Sequence, residues 1–94
     1  MQVLALPESI LANFLHVAEL IEEHGPKIGM PFTRSIGSGL FEIRARGKEG
    51  IVRALYCCPA GRELVILIAF VKKTQKTPNK ELALARKRMK EVLK

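Results

Sequence analysis

Residues 40 to 72 constrain the fold more than any other part of the chain. Three strand-length runs follow one another there with only turn-length gaps between them. L-F-E-I-R-A-R, at 40 to 46, alternates strictly. Phe41, Ile43 and Ala45 share one face and Glu42, Arg44 and Arg46 the other, which is the pattern of a strand with one buried and one charged face. G-K-E-G, at 47 to 50, reads as a hairpin loop. Ile51 to Cys58 is the next strand, its apolar character broken only by Arg53. P-A-G-R, at 59 to 62, turns the chain again. Glu63 to Lys72 is the third strand, and its run L-V-I-L-I-A-F-V suggests a central strand covered on both faces. Gaps this short cannot hold a crossover, so consecutive strands pair as an antiparallel meander.

A helix is expected on either side of this meander. In Pro7 to His24, Ile10, Phe14, Val17, Ala18 and Ile21 recur at the spacing of one buried stripe, widened by Leu11 and Leu15. Pro7 suits the first turn, Glu8 complements the helix N-terminus, and Gly25 followed by Pro26 ends the helix. His16 reads as a solvated helix residue. Residues Lys27 to Gly39 hold three glycines and Pro31, and read as a loop with one short turn at Thr33 to Ile36. Thr77 and Pro78 suit the start of a final helix, in which Leu82, Ala85, Met89, Val92 and Leu93 form the packing stripe. The expected fold is α+β: an N-terminal helix, a three- to four-stranded antiparallel sheet and a basic C-terminal helix, in a single domain spanning 1–94.

Composition removes several classes of function. The longest apolar run, Leu64 to Val71, is too short to span a bilayer as a helix, and the N-terminus lacks the pattern of a signal peptide, so a cytoplasmic protein is expected. Cys57 and Cys58 are adjacent, and strand neighbours point to opposite faces, which opposes both a disulfide and a shared metal. His16 and His24 have no partners at ligand spacing, so no metal site is expected. There is no P-loop, no G-x-G-x-x-G, no G-x-S-x-G and no H-E-x-x-H.

The charge is localised. The net charge is +7, and the stretch from Lys72 onward holds nine Lys/Arg against Glu81 and Glu91, while residues 1 to 71 balance at zero. Such a field is the footprint of a polyanion partner. Lys80, Lys87, Lys90 and Lys94 lie together on the final helix, opposite its packing stripe. By period two, Ile68, Phe70 and Lys72 share a face of the third strand. If that face coincides with Glu42, Arg44, Arg46 and Arg53, one sheet surface presents arginines, a glutamate and an aromatic ring, with Lys73 and Lys76 in the loop at its end. Guanidinium forks suit phosphate. Cleavage of RNA by its own 2′-hydroxyl needs that hydroxyl deprotonated, the phosphate charge stabilised and the leaving oxygen protonated. Fixed cations meet the second need, and Glu42 or a lysine of lowered pKa is the candidate general base. Binding without cleavage stays open from the residues alone.

G-S-G-L-F-E-I-R at 37 to 44, the arginine-bearing strand at 51 to 56, and F-V-K-K-T-Q-K-T-P at 70 to 78 before a basic helix resemble the RelE/HigB superfamily of toxins, in its phage-derived branch, over roughly residues 6 to 94. The resemblance implies a toxin of a type II toxin-antitoxin pair, a ribosome-dependent mRNA endonuclease (mRNA interferase) that inhibits translation, needs no metal or cofactor and is neutralised by a cognate antitoxin. Carried over by position, Arg44, Arg53, Lys72 and Lys73 are the catalytic candidates. Arg46, Tyr56, Phe70, Lys76, Lys80, Lys87 and Lys90 are the RNA-binding candidates, with Tyr56 or Phe70 stacking on a base. The basic helix would contact ribosomal RNA. The short stretch before Pro7 is expected to leave a sheet edge open to another chain, so a dimer or an antitoxin heterocomplex is the expected assembly.

The branch often carries histidine where this chain has Ile68. The alternative is accordingly a catalytically inactive RelE-like protein that binds RNA or its antitoxin. A DNA-binding regulator is the third reading, disfavoured because no helix-turn-helix precedes the basic helix.

Overall fold

The computed structural model describes residues 6–25, 28–29, 32–48, 50–59, 63–71 and 78–93. Its elements, in chain order, are α1 (Glu8–His24), β1 (Thr33–Gly37), β2 (Leu40–Gly47), β3 (Gly50–Cys57), β4 (Val65–Val71) and α2 (Asn79–Val92). The strands form one antiparallel sheet in the order β1-β2-β3-β4. This is the expected α+β arrangement, with the sheet at the upper end of its expected strand number.

Strand alternation sends side chains to two faces, and one helix covers each. Phe41, Ile43 and Ala45 of β2, Val52, Ala54 and Tyr56 of β3, and Ala69 of β4 join Ile10, Phe14, Val17 and Ile21 of α1 in one core. Leu40, Leu55, Cys57 and Leu67 join Ala85 and Met89 of α2 in the other. The α1 stripe is the one its spacing predicts, and Val17 and Ile21 are sealed from solvent. A side chain of that size contributes about 1.5–3 kcal/mol on full burial. Leu15 does not widen the stripe, and Val92 and Leu93 do not extend the stripe of α2: all three are exposed. Pro7 precedes the first helical residue, and its carbonyl accepts the first intrahelical bond, from Leu11 N–H at 2.8 Å.

Two close approaches fix α1 on the sheet. The Asn13 side-chain oxygen accepts a hydrogen bond from the Arg46 backbone N–H at 2.8 Å. At Gly47 the strand backbone passes so near the start of α1 that a Cβ would stand 2.8 Å from Ile10 N and 2.9 Å from the Ser9 carbonyl carbon. Only glycine fits there.

Two expectations are corrected. The segment before β2 is not only a loop: Thr33–Gly37 forms the edge strand β1, and a two-residue turn, Ser38-Gly39, returns it to Leu40. Both turn residues have positive φ, 54° and 82°, as a type I′ hairpin turn requires. The apolar run at the end of the meander is, among the described residues, an edge strand and not a central one. Its two faces are covered by two different helices, with Ile66 and Ala69 toward α1 and Leu67, Ile68 and Phe70 toward α2. A bulge between Ile66 and Ile68 interrupts its pairing with β3. Arg88 of α2 donates a 2.7 Å hydrogen bond to the carbonyl of Leu67 at that bulge, which satisfies one backbone acceptor where the ladder is interrupted.

Candidate RNA-binding face

The charged positions of β2 and β3 fall on the face that carries α2, arranged in rows that run on to β4. Arg44 pairs with Arg53, and Arg53 with Phe70, so these three side chains form one row across β2, β3 and β4. The neighbouring row runs Arg34, Glu42, Leu55, Ile68. Arg46, paired with Ile51, begins the next row toward the β2–β3 hairpin. The apolar contacts of α2 lie toward the other end of the strands, at Leu40, Leu55, Cys57 and Leu67.

The carboxylate in this array is clamped. Glu42 is fully buried, with Oε1 3.4 Å from Arg34 Nη2 and Oε2 3.7 Å from Arg53 Nη1. The Arg53 side chain is only 3% exposed, whereas that of Arg34 is 45% exposed. Taking a carboxylate and a guanidinium out of water is expensive unless each compensates the other, so neither member of the pair can be removed without leaving the other uncompensated. Arg44 is half-buried; its backbone N–H donates to Phe32 O at 3.1 Å, and its buried Nε has no hydrogen-bond partner among the described residues. Arg46 is exposed. The β2 backbone at the two site arginines is therefore held at Arg44 by Phe32, just before β1, and at Arg46 by α1.

Five of the expected site residues, Glu42, Arg44, Arg46, Arg53 and Phe70, share this face. Phe70 is half-buried beside the α2 core. Lys80, Lys87 and Lys90 are exposed on α2. Lys72, Lys73 and Lys76 lie outside the described residues.

Two assignments change. Tyr56 does not belong to this face. It is fully buried on the α1 side, stacked on Phe41 with ring centroids 5.4 Å apart. Burial pushes its phenol up to about 12, against the opposing effect of a hydrogen bond with Thr33. A ring so enclosed cannot receive a base. Glu42 is not placed as a general base either, since a carboxylate without solvent access, held between two guanidinium groups, cannot reach a substrate hydroxyl.

Arg34 was missed because it sits in the stretch read as a loop. The signal that finds it is T-R-S-I-G followed by S-G, a short segment closed by a hairpin dipeptide. Burial also raises the thiols of Cys57 and Cys58, in keeping with unreactive packing residues. Among the described residues no cluster of three or more His, Cys, Asp or Glu side chains is placed to hold a metal ion. No helix among them is long and apolar enough to cross a membrane.

The family model described as "Phage derived protein Gp49-like (DUF891)" matches residues 1–90. No curated protein matches the chain.

Proposed function

The chain belongs to the phage-derived Gp49-like family, and on that footing we propose that it is a toxin of the RelE/HigB superfamily, from a type II toxin-antitoxin pair, that cuts mRNA on the ribosome. The observation that carries this reading is the row Arg44–Arg53–Phe70, which sets two guanidinium groups and an aromatic ring side by side on three adjacent strands. Cleavage by the adjacent 2′-hydroxyl builds negative charge on the equatorial phosphate oxygens. Preorganised cations stabilise that charge without reorganising during the reaction. Arg46 and the exposed lysines of α2 supply the field that holds the RNA backbone. Lys72, Lys73 and Lys76 follow β4 directly in sequence, and they are the groups proposed to grip the backbone and assist proton transfer. A cognate antitoxin would neutralise the protein by covering this face.

One observation favours a second reading, in which the protein binds RNA or an antitoxin without cutting. Glu42, the carboxylate on the charged face of β2, is locked in its ion pairs, and the position beside Ala69 on β4 is Ile68 rather than an acid or base.

The test is induction in a bacterial host with mapping of mRNA 5′ ends, beside an Arg44→Ala variant. The nuclease reading expects growth arrest and new ends confined to translated regions, both lost in the variant. A soluble, folded wild type that gives neither arrest nor new ends would leave the binding-only reading.

A further inference from the structure

The two arginines of the central row are not equivalent. The fork of Arg53 is buried and turned toward Glu42, so no approaching phosphate has open access to it. Arg44 is half-buried, and its Nε is a buried donor with no hydrogen-bond partner among the described residues. Glu42 also meets Arg34, which reaches over from the edge strand β1. One carboxylate thus stands between the guanidinium groups of Arg34 and Arg53, and Arg44 is the register partner of Arg53.

We propose that Arg34 and Glu42 are positioning residues that hold Arg53 as a fixed charge beside Arg44, and that Arg44 is the group that contacts an RNA phosphate. This rests on the RNA-binding reading above and assigns separate roles within that site. Glu42 shares its charge between two cations from two strands. The shared clamp keeps the Arg53 guanidinium at one place in the sheet while leaving the cluster positive. Without Arg34, Glu42 would neutralise Arg53 alone and weaken the field at Arg44. Without Glu42, Arg53 would lose its anchor. Loss of a negative charge should, by Coulomb's law alone, tighten the binding of a polyanion. The positioning role carries the opposite sign, and that difference makes it testable.

The probe is a fluorescently labelled single-stranded oligonucleotide with deoxyribose throughout, which cannot cleave itself. Binding is measured by anisotropy across a salt series for the wild type, Arg44→Gln, Arg34→Gln and Glu42→Gln, with a thermal melt of each. Arg44→Gln should lower the slope of log K against log salt by about 0.7, the loss of one phosphate contact to a single strand. Arg34→Gln and Glu42→Gln should each weaken binding roughly tenfold with the slope unchanged. Arg34 is largely solvated, so its variant keeps the test decisive if Glu42→Gln fails to fold.

Tighter binding by a folded Glu42→Gln would overturn the proposal. So would a slope loss in Arg34→Gln as large as that expected of Arg44→Gln, because Arg34 would then be a direct contact. An Arg34→Gln variant altered only in melting temperature, or an unchanged slope in Arg44→Gln, would also overturn it. A wild type that does not bind the probe sinks the proposal too, and leaves the nuclease reading to be decided separately by the mapped mRNA ends.

Discussion

Arg53 Nη1 stands 3.7 Å from Glu42 Oε2, and neither side chain has appreciable contact with solvent. A pair of this kind is weak evidence for added stability, but it makes removal of one member costly, because the other remains as an uncompensated buried charge.

Glu42→Ala is therefore expected to lower the free energy of unfolding by about 3–5 kcal/mol. Arg34→Ala removes a largely solvated partner of the same carboxylate and should cost only about 0–1 kcal/mol. Urea denaturation of the two variants checks the difference. Equal and small losses would mean that Glu42 is not buried as described.

Gly47 marks where β2 passes the N-terminus of α1. Gly47→Ala would place a methyl group within 3 Å of two backbone atoms of α1, Ile10 N and the Ser9 carbonyl carbon, and backbone cannot swing aside as a side chain can. Overpacking of this kind costs about 1–3 kcal/mol. A melting temperature equal to that of the wild type would show that the helix is not seated there.

Much of this architecture is legible in the residues, and the failures have physical causes. The α1 stripe, β2 and β3 declare themselves because local periodicity and burial agree. The edge strand β1 does not, since a five-residue segment beside glycines becomes a strand only by pairing with β2, through contacts such as Arg34 opposite Glu42. The apolar run of β4 tells truly that both its faces are covered. It does not tell that two helices do the covering, so edge and centre look alike in sequence. Tyr56 was separable from Arg53 by alternation alone, since residues three apart on a strand face opposite ways. The clamp on Glu42 was not separable from an accessible carboxylate, because burial of a charged face depends on what packs over it.

Tyr56 is the chain's single tyrosine, and there is no tryptophan, so its ionisation can be followed by ultraviolet absorbance without interference. Burial raises its folded pKa from 10.0 to about 12. The folded state therefore holds the proton more tightly than the unfolded state. This contribution is fully present below pH 10 and is lost as the pH rises toward 12. Absorbance should change late, near pH 12, and stability should decline across the same interval. A phenol titrating near its ordinary value in the folded protein would mean that the ring is solvated, and would return it to the candidates for base stacking.

The central claim is cleavage of mRNA in the ribosome. It is tested most directly with the purified protein and one defined mRNA, offered either free or with a chosen codon held in the A site of a programmed ribosome. The expected result is a cut within the A-site codon of the ribosome-bound message, none in the free message, and loss of the cut in Arg44→Ala. An intact message on the ribosome, or equal cutting of the free one, would contradict it.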